Sequence, residues 1–162
     1  MRAFRAPAAD DSWAGLRLRY PPPHEVADAA SPVPACPSYT PLPAHRNCTR
    51  LKSQWDISED EETSCFHHAW RRNWLEDSVG WGLHLDDSGK PSWLGHSFDN
   101  QCPLWFAKFV GVRELWHGYP ADLKRRGRAD APNARVAFDW WRRGHIRKAT
   151  FSKLRQGKKC VP

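Results

Sequence analysis

Proline placement is the feature that most limits what this chain can build. Nine of the 14 prolines lie in residues 1–50, among them PPP at 21–23 and the run SPVPACPSYTPLP from Ser31 to Pro43. Each proline fixes φ and removes an amide donor, and few large apolar residues stand between them to offset the entropy of ordering. Residues 1–50 are therefore expected to form a disordered, Pro-rich arm. The PxxP spacing from Pro34 to Pro37 could dock on an aromatic groove, but in so proline-rich a segment it arises by chance, and a plain linker is favoured.

From Leu51 onward the texture changes to that of a folded body, expected over residues 51–123. The whole chain of 162 residues suffices for one domain with its own core. Ten Trp, set against a mean hydropathy of -0.75, argue that a polar surface covers an aromatic interior. Ser58 followed by Glu61 has the form of a capping box, and the acidic run from Glu59 to Glu62 suits a helix N-terminus. The spacing of Phe66, Trp70 and Trp74, with Cys65 and Ala69 beside them, predicts one buried helical stripe continuing to a stop at Gly80. Trp81, Leu83 and Leu85 alternate with smaller or polar residues, and a loop Asp87–Gly89 would close a hairpin placing Leu83 opposite Trp93. The apolar run from Pro103 to Val112 predicts an inner strand, and a short strand through Glu114 to Trp116 comes next. The segment LWHGYPAD, 115–122, reads as a turn: Gly118 would permit a positive φ, Tyr119 is extended before Pro120, and Asp122 can cap the segment after it. His117 is left without a structural reason.

Charge separates the C-terminal end from the rest. Residues 124–162 carry 13 Lys and Arg against Asp130 and Asp139, a balance of +11, so residues 1–123 carry -4 of the total of +7. Asp130 ahead of Pro132 predicts a helix start, Val136, Ala137, Trp140 and Trp141 a buried stripe, and Gly144 a stop. A second helix over Lys148 to Gln156 would turn Phe151 and Leu154 inward and end at Gly157. The fold expected is α+β: a small antiparallel sheet from Trp81 to Trp116 packed against helices, with a basic C-terminal αα-hairpin over 124–162.

Three kinds of function compete. The basic hairpin leaves Arg142, Arg143, Arg147, Lys148, Lys153, Arg155, Lys158 and Lys159 free to meet nucleic-acid phosphates or an acidic protein surface. Were it a helix-turn-helix, Lys148, Thr150, Ser152, Lys153 and Arg155 would reach a groove. A hydrolase or nuclease is the alternative, with Cys102 and His117 as nucleophile and base, or with His96, Asp99, His117 and Asp122 as acid and base on a phosphodiester held by the basic segment. A zinc site could be assembled from Cys65, His68, His96 and Cys102, but the spacing fits no zinc class, and Arg71 and Arg72 oppose a cation there. No fingerprint of a nucleotide, flavin or metal cofactor is present, and none is expected.

Compartment follows from weaker signals. No run of about 18 apolar residues exists, so no membrane partner is expected. The opening MRAFRAPAADDSW has no apolar stretch behind its Arg residues and does not read as a secretory leader. Five Cys with no C-x-x-C pair suggest reduced thiols in a cytoplasmic protein. A non-enzymatic binding module whose C-terminal basic face contacts nucleic acid or an acidic protein surface is the preferred expectation.

Overall fold

The computed structural model describes residues 35–48, 51–99, 102–112 and 115–162. Most of the arm expected over 1–50 lies outside the described residues, as does Trp13. Residues 35–48, however, belong to the folded body. Strand β1 (Ser38–Tyr39) pairs parallel with β10 (Leu115–Pro120), and a 3-10 turn at Pro43–His45 comes after it. The reason is a buried carboxylate. Glu62, wholly buried on helix α1 (Glu59–Arg71), accepts hydrogen bonds from the Tyr39 hydroxyl and the Arg46 guanidinium, while Tyr39 stacks on Phe66 at 4.7 Å. An aromatic ring and an ion pair thus dock a segment that proline content alone would leave outside.

Helix α1 begins as its sequence requires. The Ser58 side chain accepts from the Glu61 amide, and the Glu61 carboxylate accepts from the Ser58 amide. It ends at Arg71, earlier than the stop expected at Gly80. Asn73 takes φ +54°, and a tight hairpin comes next: β3 (Leu75–Glu76), a turn with Asp77 at φ +51°, and β4 (Val79–Gly82). The four-residue spacing misleads here because Trp74 reaches the core from a loop and Trp70 stays half-buried; the buried face of α1 is Glu62, Cys65, Phe66 and Ala69.

The main sheet has five strands in the order β1-β10-β9-β4-β3, with β9 (Ala107–Val112) at its centre. All its pairings but that of β1 are antiparallel, so the sheet is mixed at one edge and wider than the stretch from Trp81 to Trp116. The expected inner strand breaks after β8 (Pro103–Leu104), which joins β2 (Gln54–Trp55) and β7 (Gly95–His96) in a three-stranded sheet. The expected hairpin is present as β5 (His84–Leu85) and β6 (Pro91–Ser92), with His84 opposite Ser92 and Leu85 opposite Pro91; Leu83 is buried, whereas Trp93 is exposed. The loop is closed by the Asp86 amide donating to the Lys90 carbonyl at 2.8 Å, with Gly89 at φ +75°.

LWHGYPAD is not a turn. Residues 115–120 form β10, bonded to β9 along its whole length, and the Trp116 ring lies across Gly111 on the neighbouring strand. Gly118 has a packing role, since a Cβ there would stand 2.6 Å from the Phe109 ring and 2.7 Å from the Tyr39 hydroxyl.

Beyond β10, Asp122 caps the short helix α2 (Leu123–Arg126) through the amides of Lys124 and Arg125. Helix α3 (Ala134–Arg142) is capped by Asn133 in place of Asp130, and α4 (Lys148–Arg155) packs against it. Val136, Ala137, Trp140 and Leu154 are buried, and Gly144 and Gly157 take positive φ as the stop positions require. Trp140 stacks on Phe106 at 5.5 Å and meets Trp74 edge-on at 5.7 Å, tying the helical hairpin to the body. The protein is α+β. None of the helices among the described residues is long and apolar enough to cross a membrane.

Candidate functional site

Strand alternation gives β10 two faces. Trp116, Gly118 and Pro120 are buried on the side that meets α1, where Phe66 lies 5.3 Å from Phe109 and 5.7 Å from Trp116. His117 and Tyr119 therefore leave the opposite face, on the side of their cross-strand partners Val110 and Lys108. There they line a cleft of about 610 Å³. The 42–53 segment adds Leu42, His45, Leu51, Lys52 and Ser53 to the lining, and the chain after β10 adds Asp122, Arg125, Arg126 and Asp130.

The carboxylates and the cations of this cleft are disposed differently. Asp130 is 1% exposed: Oδ1 accepts from the Tyr119 hydroxyl at 3.1 Å and faces Arg126 at 3.5 Å and Lys108 at 3.8 Å, while Oδ2 accepts from the Asp122 amide at 3.0 Å. Asp122 is likewise buried and occupied with capping α2. Lys52, Arg125 and Arg126 are exposed; Arg125 donates to the Leu51 carbonyl, and Arg126 lies over the Tyr119 ring. The charge of Asp130 is thus balanced by Arg126 and Lys108, and Lys52 and Arg125 face solvent.

Two imidazoles converge on the same space. The His45 ring stacks on Tyr119 at 5.4 Å with its Nδ1 2.8 Å from the Ser53 carbonyl oxygen, and Ser53 is fixed in turn by its hydroxyl donating to the Pro120 carbonyl at 2.6 Å. A carbonyl only accepts, so Nδ1 carries the proton and Nε2 keeps the lone pair. The Nδ1 of His117 is buried with no hydrogen-bond partner. Burial lowers both pKa values below the ordinary imidazole range; the Lys52 ammonium lowers them further, and the Ser53 hydrogen bond partly restores that of His45. Burial and the Asp130 carboxylate push the Tyr119 phenol up.

The other expected site residues are dispersed. His96 is bonded through Nδ1 to Asp56 at 2.6 Å on the three-stranded sheet and does not join His117. Cys102 is buried and accepts from the Lys159 ammonium at 3.0 Å beside a neighbouring crevice, so no Cys102–His117 dyad forms. Asp122 lines both spaces but faces His117 only as part of the scaffold. Cys65 and His68 sit on α1 away from His96 and Cys102, and no group of three metal-ligating side chains exists among the described residues. All five cysteines are free thiols. Burial and the surrounding Arg72, His145, Arg71 and Arg143 lower the His68 pKa, a field that also disfavours a metal ion.

The eight basic residues of the C-terminal hairpin are all exposed, and three of them have partners within the protein. Arg143 pairs with Asp139 at 2.7 Å, whose same oxygen accepts from the Trp74 indole at 2.8 Å. Arg147 donates to the Pro162 carbonyl, and Lys159 is engaged with Cys102. Arg155 shares a groove with Arg128 and Ser152, close to where Gly157 touches the Arg128 backbone. Thr150 is buried and donates to the Val161 carbonyl at 2.6 Å, which removes it from the residues expected to read a groove.

His45, Lys52 and Ser53 were not among the expected site residues, because the first lies within the proline-rich stretch and the others carry no motif. The alternation of Trp116, Gly118 and Pro120 with His117 and Tyr119 was the available signal. No protein-family model, curated protein or solved structure matches this chain.

Proposed function

We propose that the protein binds nucleic acid, seating the phosphates of a single strand in the cleft between β10, the 42–53 segment and α2. The observation that carries this reading is the sorting of charge: Asp122 and Asp130 are buried and bonded internally, Asp130 being balanced by Arg126 and Lys108, whereas Lys52 and Arg125 are exposed around the opening. Exposed cations over a wall that has already neutralised its own carboxylates favour an incoming anion. Arg128 and the Arg155 groove continue the basic surface away from the cleft, so the hairpin contributes at its α4 end and Arg143 does not. Leu42 and Leu51 supply apolar rim for bases, and the volume of about 610 Å³ suits a small part of a strand rather than a duplex.

Fluorescence anisotropy of a labelled single-stranded DNA, titrated over a range of salt, tests this. Affinity should fall linearly on a log–log scale, at about 0.7 per phosphate neutralised. Replacing Lys52 or Arg125 with Ala should reduce that slope by about one phosphate contact each. Absence of binding at low salt, or preference for polyglutamate over DNA, would overturn the reading in favour of no polyanion or an acidic protein.

A further inference from the structure

Resting on the cleft as a nucleic-acid site, we propose that it also cleaves RNA, with His45 and His117 moving the two protons of a metal-independent transphosphorylation. Two imidazoles from different elements, the 3-10 turn and β10, open on one cleft lined by Lys52 and Arg125. Neither is engaged by a carboxylate: His45 is held by the Ser53 carbonyl, and His117 Nδ1 has no partner. That is the chemistry a phosphodiester with a neighbouring hydroxyl requires, one base for the nucleophile and one acid for the leaving group.

The roles follow from the tautomers. Because the Ser53 carbonyl holds the proton on His45 Nδ1, Nε2 presents a lone pair and takes the proton of the ribose 2′-OH. The 2′ oxygen then bonds to phosphorus, the P–O5′ bond breaks, and the His117 imidazolium gives its proton to the departing 5′ oxygen. The proton leaves from Nε2, since Nδ1 is buried, and burial together with the Lys52 ammonium disfavours the charged ring and so favours its release. Products are a 2′,3′-cyclic phosphate and a 5′-hydroxyl, and exchange of the two protons with water resets the pair. No oxidant, metal or added nucleophile enters the balance. The cations at the rim oppose the negative charge that builds on the phosphoryl oxygens. DNA, lacking the 2′-OH, would bind without being cut.

The experiment uses the full chain in EDTA with three labelled strands of one sequence: RNA, its 2′-O-methyl form and DNA. The expected result is cleavage of RNA alone into fragments with cyclic phosphate ends, with all three strands bound. His117→Asn and His45→Ala should each lower the cleavage rate by about a hundredfold or more, read in single turnover at saturating protein so that any change in affinity does not enter. The half-exposed position of His117 lets its variant carry the test should His45→Ala fail to fold. RNA bound but left intact, or cleavage unaltered in His117→Asn, would overturn the catalytic proposal while leaving the binding reading standing. Failure of all three strands to bind would overturn both.

Discussion

The Nδ1 of His45 lies 2.8 Å from the carbonyl oxygen of Ser53, a bond that joins the proline-rich segment to the wall of the cleft and fixes which ring nitrogen is basic. His45 and His117 line one cleft with Lys52, Arg125, Arg126, Asp122 and Asp130.

The first prediction concerns pH. Both imidazole pKa values are lowered from 6.5, by burial first and then by Lys52, with the Ser53 bond opposing the shift in His45. The reaction needs one ring protonated and one neutral, so its rate should peak on the acid side of about 6.5. A pH–rate profile rising steadily through neutral to alkaline values would contradict this assignment.

Stability should track the same rings. His45, His68 and His117 all have folded-state pKa values below 6.5, chiefly through burial. As pH falls below that value the unfolded chain takes up protons first. Stability is therefore complete above about 6.5 and drains away as pH falls through the folded values. Urea midpoints should be lower at about pH 5 than at about pH 7.5, and part of the difference should vanish in His68→Leu.

The Tyr39–Glu62–Arg46 network should be what keeps residues 38–46 on the body. Glu62→Ala leaves the half-buried Arg46 guanidinium without its buried partner, at a cost of about 3–5 kcal/mol by denaturant unfolding. Limited proteolysis of that variant should cut near Arg46, where the parent resists. Equal resistance in the two would show that the segment is held by something else.

Gly118 should tolerate no side chain. A Cβ would meet the Phe109 ring at 2.6 Å and the Tyr39 hydroxyl at 2.7 Å, so Gly118→Ala should cost about 1–3 kcal/mol as an overpacked core does. A neutral effect would mean that β10 and α1 are less tightly apposed.

The capping box at Ser58, the left-handed glycines at 89, 144 and 157, and the buried stripe of Val136, Ala137 and Trp140 were legible because each depends on residues close in sequence. The early end of α1 was not, since Trp74 at helical spacing is buried from a loop after Asn73 adopts a positive φ. LWHGYPAD carries turn residues, and only the close approach of Phe109 and Tyr39 explains a glycine inside a strand. The cleft depended on sequence separation. His45 and His117 line one cleft, and the parallel pairing of β1 with β10 brings their segments together across more than 70 residues, which no local pattern announces. His117 stands out in the sequence because nothing local explains it. Asp130 has the look of a helix cap there, because its partners Tyr119, Lys108 and Arg126 are brought together only by the sheet and α2.

The central claim is that the cleft, and not the helical hairpin as a whole, receives the phosphates. Histidine Cε1–H resonances, assigned by single substitutions and monitored while single-stranded DNA is added at low salt, test it most directly. The account predicts that His45 and His117 shift and that their pKa values rise as a phosphate takes its place beside them, while His96, bonded to Asp56, stays in place. Unmoved His45 and His117 signals with a shifted His145, at the turn between α3 and α4, would contradict it.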